Sequence, residues 1–208
     1  MPISIRPEER KAAYVLIDGG YIRGRIRELG KEHILSDVNK YARFLQLLLS
    51  EFSYSSSSGG IVYPVGEVGI QRVYYYDAIV PVEDDPDEHK RQREFFNKLQ
   101  LQMNMCEVKL GHLIKTDKGF KQKGVDTLIA IDMLTKAYLN HYDVAYLIAG
   151  DGDFVSMVKA VKDYTGKIVI GIFEPTSASK ELIRTFDLTS VIRKEKLKEI
   201  CNKIITKI

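Results

Sequence analysis

The sequence predicts an α/β fold built on a mostly parallel sheet, and three observations carry that reading. Five apolar, β-rich runs recur along the chain: AYVLID (13–18), RVYYYDAIV (72–80), CEVKLGHLI (106–114), VAYLIAG (144–150) and KIVIGIF (167–173). Stretches with helical period separate them. The runs are apolar on both faces, as strands must be when helices cover each side of a parallel sheet.

Residues 1–11 read as an N-terminal tail and 12–192 as one domain. After the first run, a short helix near 20–29 stops at Gly30. Asp37 can cap the next, near 38–51, whose Val38, Tyr41, Leu45, Leu48 and Leu49 form one stripe. The composition of SYSSSSGG (53–60) costs more chain entropy than its burial returns, so 53–70 is expected as a mobile surface insertion. Helices follow near 86–104 and 125–140, then one from GDGDF to about 164, ended by Gly166. Beyond the fifth run, Thr176 or Ser177 is expected to cap a helix. The last helix, about 193–208, carries Leu197, Ile200, Ile204 and Ile208 on one stripe and is expected to dock on the domain.

The bulk numbers narrow the class. A chain of 208 residues, 45% hydrophobic, is long enough for one substantial core. The net charge of +3 is close to balance, so any nucleic-acid role must rest on where the charges sit. Cys106 and Cys201 have no partner spacing, which argues against a zinc cluster or a disulfide scaffold. No apolar run approaches the ~18 residues of a membrane span. A cytoplasmic protein without a membrane partner is expected, and a homodimer through the 53–70 insertion or the last helix fits the pattern.

The acidic residues carry the chemistry. In open α/β sheets, ligands bind at the carboxyl ends of the strands, near the point where strand order reverses. Asp18 ends the first run in LIDGGY, and Asp151 and Asp153 follow the fourth in IAGDGDF. Gly19 and Gly20 leave room beside Asp18 for a ligand or another backbone. Asp126 falls in the first turn of the helix that KGVD opens, pointing toward the same edge. Asp132 lies about 120° round that helix and reads as structural. A lone Asp before a helix is ordinarily an N-cap, but four converging carboxylates repel one another unless cations neutralise them. Mg²⁺ or Mn²⁺, which take oxygen ligands, would answer that repulsion. Such ions activate water and stabilise a leaving oxygen in phosphoryl displacement. The chain has no G-x-x-x-x-G-K-[ST], no G-x-G-x-x-G after the first run and no G-x-S-x-G.

The succession LIDGGY, KGVDTLIAIDML, YLIAGDGDF and KIVIGIFEPTSASKELIRTFD closely resembles the NYN domains, PIN-like ribonucleases that include the LabA-like bacterial proteins. The likeness covers roughly residues 12–192. It implies a doubly wound central parallel sheet of order 3-2-1-4-5 flanked by helices. It also implies a Mg²⁺- or Mn²⁺-dependent endoribonuclease that leaves 5′-phosphate and 3′-hydroxyl ends. The family's acidic set falls on Asp18, Asp126, Asp151 and Asp153. Many members have Asn three positions after the first Asp, where this chain has Tyr21, and a phenol lacks an amide's paired donor and acceptor.

Substrate phosphates need cations, and Arg23 and Lys123 adjoin the acids of the proposed site. The basic cluster HKRQRE (89–94) reads as a solvated helix face. Tyr74, Tyr75 and Tyr76 are β-favouring and mostly core. Tyr21 or Tyr76 is a candidate for stacking on a base of a single-stranded RNA. Asp77 is a candidate outer-shell acid, and Ser179 a candidate phosphate contact. Two other functions share these residues: a non-catalytic nucleic-acid-binding or regulatory module, and a metal-dependent nucleotide phosphohydrolase.

Overall fold

Strand β1 (Lys11–Asp18) lies at the centre of the sheet, in parallel with β2 (Val68–Ile79) on one side and β5 (Val144–Ile148) on the other. The structure, a computed structural model, describes residues 11–53, 68–117 and 119–205. Outward from β2 come β3 (Cys106–Thr116) and β4 (Gly119–Lys123). Outward from β5 come β6 (Ile168–Phe173) and β7 (Leu188–Val191). The full order is β4-β3-β2-β1-β5-β6-β7, parallel throughout except for the β3–β4 hairpin.

The five apolar runs foreseen in the sequence occupy the middle of this sheet, but the expected five-stranded parallel order is incomplete at both edges. The antiparallel strand GFKQK and the short strand LTSV extend it. Edge strands are covered less than central ones, so neither segment needed the two-sided apolar composition that marks the others.

The helices are α1 (Gly19–Glu28), α2 (Glu32–Leu35), α3 (Val38–Ser53), α4 (Pro86–Gln102), α5 (Val125–Tyr138), α6 (Val155–Thr165), α7 (Lys180–Thr185) and α8 (Lys194–Ile205). They divide between the sheet's two faces because successive strand residues point to opposite sides. From β1, Val15 and Ile17 enter the core beneath α1, α3, α4 and α8, while Tyr14 and Leu16 enter the core beneath α5, α6 and α7. Asp37 starts α3 by accepting from the Asn39 and Lys40 amides at 2.9 and 3.2 Å. Gly166 ends α6 at φ 65°, a left-handed conformation that costs glycine little.

The last helix buries Leu197, Ile200, Cys201 and Ile204 against Leu45 and Leu48 of α3 and their neighbours. Its apolar stripe is therefore spent on the chain's own core, and Ile208 lies outside the described residues. The insertion expected at 53–70 is narrower at both ends, since Ser53 closes α3 and β2 begins at Val68; residues 54–67, like 1–10, lie outside the described residues. Among the described residues, no helix is long and apolar enough to cross a membrane.

The docking of α8 predicts a graded pair of variants. Leu197→Ala empties a fully enclosed site and is expected to lower unfolding free energy by about 2–5 kcal/mol. Leu101→Ala, at a side chain 84% exposed, is expected to change it by less than about 0.5 kcal/mol. Urea melts followed by circular dichroism compare the two; equal shifts would contradict the docking.

Candidate functional site

Parallel pairing brings the acids of β1 and β5 to one edge. Ile17 stands opposite Ile148, so Asp18 and the turn that carries Asp151 leave the sheet side by side. Each carboxylate also starts the helical segment after it. Asp18 Oδ1 accepts from the Tyr21 amide at 3.0 Å, and Asp151 Oδ1 accepts from the Asp153 amide at 2.9 Å. The turn Gly152–Phe154 is a single 3-10 turn that leads into α6, with Phe154 buried as its anchor. Asp126 occupies the first turn of α5, which opens at Gly124.

Burial and charge distinguish these acids. Asp18 is only 8% exposed, and its carboxyl pKa is raised to about 6, first by loss of water and then by the negative charges of Asp126 and Asp77. Asp126 is exposed by surface area, yet its carboxyl is also held above its ordinary value, first by partial desolvation and then by Asp151 and Asp153; Lys121 pulls the other way. The four acids thus act on one another from three separate segments. None of the four has a cationic side chain within ion-pair distance among the described residues.

Two further acids near this edge are satisfied internally. Asp77 is 1% exposed and accepts from Arg23 Nη1 at 2.8 Å, Tyr75 Oη at 2.9 Å, Gln122 Nε2 at 2.9 Å and the Ala78 amide at 2.8 Å. Because the Tyr75 proton goes to Asp77, Tyr41 donates to Tyr75 Oη at 2.8 Å. Asp132 accepts from Tyr76 Oη at 2.8 Å and pairs with Lys109 at 2.6 Å and Lys136 at 2.7 Å. Burial alone would raise the Asp132 pKa, but those donors hold it below its ordinary value. The structural role expected of Asp132 is the one found.

The residues expected to touch substrate are placed unevenly. Tyr76 is fully buried with its hydroxyl committed to Asp132, so its ring has no face to offer a base, and its selection as a stacking residue is corrected. Proximity to the carboxyl end of β2 suggested that role; the pleat turns the side chain into the core instead. Tyr21 is half-buried and ties two segments together. Its hydroxyl donates to Ser177 Oγ at 2.8 Å and accepts from the Glu174 amide at 2.9 Å, while the Arg25 guanidinium lies over its ring. Arg23 is held by Asp77 yet keeps part of its side chain exposed. Lys123 is exposed at the end of β4. Ser179 lies against Gly152, where an added Cβ would stand 3.1 Å from its Oγ.

Ser179 also occupies the N-cap of α7, in place of the expected Thr176 or Ser177. Those two residues serve Glu174 instead. Thr176 donates to the Glu174 carboxylate through both its amide and its hydroxyl, and Ser177 Oγ donates to the Glu174 carbonyl. Glu174 is a residue that sequence reasoning underrated: it is 3% exposed, and hydrogen bonds from Thr176 outweigh its burial and keep its pKa below the ordinary value. Gln122 is the other. Its amide reaches Asp77, and its side chain fills the space beside Gly20, where a Cβ would meet Oε1 at 2.6 Å. Gly19 is filled likewise, by the Tyr75 hydroxyl at 2.4 Å, so the room beside Asp18 accommodates protein side chains.

As they stand, no three His, Cys, Asp or Glu side chains among the described residues are grouped closely enough to hold a metal ion. The donor chemistry does fit one. The four uncompensated acids offer only hard carboxylate oxygens, the ligand type that Mg²⁺ and Mn²⁺ take, and the proton affinity of Asp18 reports an unmet demand for positive charge.

The family model of the NYN domain matches residues 12–193. No curated protein matches the sequence. Among solved structures, a protein of unknown function from Vibrio parahaemolyticus is similar, with a TM-score of 0.57 and 20% identity over 90% of this chain and 96% of that one; the likeness is one of fold. A structure described as giving the mechanism and regulation of Sir2 enzymes aligns over 95% of this chain and 93% of that one, at 12% identity and a TM-score of 0.33, too low to carry an argument.

The state of Asp18 predicts a pH dependence in the metal-free protein. A carboxyl raised from 3.8 to about 6 binds its proton more tightly when folded, so its contribution to stability falls as pH rises from about 4 and is fully lost above about 6. Asp18→Asn keeps an acceptor for the Tyr21 amide and removes this loss. At pH 8 in EDTA the variant is expected to be more stable than wild type by up to about 3 kcal/mol, and no more stable at pH 4. Chemical denaturation at the two pH values measures it.

Proposed function

The chain belongs to the NYN domain family, whose fold is PIN-like and of nuclease type, and from that premise we propose that it is a metal-dependent endoribonuclease. The observation that carries the reading is the contrast among its acids. Asp77 and Asp132 are each saturated by basic and phenolic donors. Asp18, Asp126, Asp151 and Asp153 share the carboxyl edge without such partners, and burial together with the charge of neighbouring acids holds the Asp18 and Asp126 carboxyls above their ordinary values.

In this proposal, Asp18, Asp126, Asp151 and Asp153 hold Mg²⁺ or Mn²⁺, and the bound ion supplies an activated water and charge stabilisation for phosphodiester hydrolysis. The remaining roles belong to the chain itself. Asp18, set at the centre of the edge by β1, is the most desolvated of the four, so it discriminates most strongly for positive charge. Arg23, held by Asp77 and partly exposed, offers its guanidinium to a phosphate of the substrate. Lys121 and Lys123 lead into α5 on the Asp126 side and offer further phosphate contacts. Tyr21 binds the β6–α7 loop through Ser177 and Glu174 and so shapes the wall that the family's Asn would occupy. Single-stranded RNA is the proposed substrate.

Cleavage of a labelled single-stranded RNA, with a matched DNA and a mononucleotide as controls, tests the proposal in Mn²⁺ and in EDTA. Wild type is expected to cut RNA only with metal, and Asp151→Asn to lose at least about a hundredfold in rate. RNA bound but left intact in both conditions would replace the enzyme with a binding module, and hydrolysis confined to the mononucleotide would make it a nucleotide phosphohydrolase. A companion melt is expected to show Mn²⁺ raising the Tm of wild type and leaving that of Asp151→Asn nearly unchanged.

A further inference from the structure

The β3–β4 hairpin projects beyond the sheet at the acidic edge. The last pair between β2 and β3 is Ile79 with His112, and past it β3 pairs only with β4, from His112 with Lys123 out to Thr116 with Gly119. Two contacts hold this arm over the site. Gln122 donates to the buried Asp77 and packs on Gly20, two residues from Asp18; at the base, the Lys123 carbonyl lies against Gly111.

The arm's surface is unusual for this chain. Between His112 and Lys123 it carries four lysines and one acid. Lys115, Lys121 and Lys123 are exposed, and none makes an ion pair with another described residue. Phe120 is 60% exposed and stands directly opposite Lys115 in the ladder. Strand alternation places Phe120 on the same face as Gln122, which touches the floor of the acidic site. An exposed aromatic ring beside a free lysine, in line with an acidic centre, combines the two elements that grip single-stranded nucleic acid: a stacking surface for a base and a cation for the adjoining phosphate. Duplex offers that ring no free base face.

The geometry points to the hairpin as a docking arm for single-stranded RNA, with Phe120 stacking on a base and Lys115 holding a phosphate, so that the strand runs past Gln122 toward Asp18. This assignment rests on the nuclease reading of the acidic edge and adds to it the determinant of strandedness. It explains why a short antiparallel strand is added at this edge of an otherwise parallel sheet, and why Gln122 is tied to a buried carboxylate.

Binding measured in EDTA, where no cleavage occurs, separates the arm from the chemistry. The probes are a fluorescently labelled 12-nucleotide RNA and the same RNA annealed to its complement. Phe120→Ala is expected to weaken single-strand binding about tenfold and to change duplex binding by less than about twofold, while Phe120→Trp retains wild-type affinity. Lys115→Gln is expected to reduce the slope of log affinity against log salt by about 0.7, the share of one single-strand phosphate. Phe120 is exposed, so the variants are expected to melt with wild type. Wild-type affinity in Phe120→Ala, or an equal loss on single strand and duplex, overturns the arm while metal-dependent cleavage by wild type still supports the nuclease. A wild-type protein that neither binds nor cuts RNA overturns both.

Discussion

Burial of one carboxylate at the end of the central strand is the constraint on which the carboxyl edge depends. Asp18 follows five successive buried residues of β1, Ala13 to Ile17, so ionising it places a charge where water is excluded. The surroundings answer only part of that cost. The α1 amides at Gly20 and Tyr21 are directed at the carboxylate, which fixes where α1 begins. Gly19 and Gly20 then allow Tyr75 and Gln122 to close in, joining α1, β2 and β4 around one side chain. What the amides do not supply is a full positive charge.

Two buried polar networks brace that edge from either face of β2. Asp77 gathers Arg23, Tyr75 and Gln122, with Tyr41 behind Tyr75, and so links α1, α3 and β4. Asp132 gathers Tyr76, Lys109 and Lys136, and so links α5 to β2 and β3. Their donors meet the acceptor capacity of each carboxylate, and removing one partner would leave a buried group unpaired. The networks hold rigid the segments that carry Asp18 and Asp126. Under the proposed function that rigidity has a use, since repulsion among the acids would be held in place until a cation relieves it.

Much of this was legible in the chain. The five apolar runs, the caps at Asp37 and Gly166 and the α8 stripe as far as Ile204 follow local rules of period and backbone preference, and each was found where those rules put it. The acids of LIDGGY and GDGDF were legible because the chain places charge where an apolar strand ends. Less was legible where a role depends on a partner distant in sequence. Tyr76 and Tyr75 are adjacent in one β-favouring run, yet one serves Asp132 and the other Asp77. Thr176 and Ser177 look like helix caps, but a buried glutamate two or three residues earlier claims them.

The sequence by itself determined the α/β class, the central strands and the four candidate acids, because alternation, capping and strand-end charge are properties of neighbouring residues. Only the tertiary structure decided which acids are neutralised and which are left exposed to one another. It also decided that Gln122 and Glu174 belong to the edge, that two strands extend the sheet, and that the β3–β4 hairpin reaches Asp77 and Gly20 through Gln122. The physical reason is range: a hydrogen bond or a Coulombic field acts across space, between residues that the chain keeps up to 156 positions apart, and no local pattern records which of them will meet.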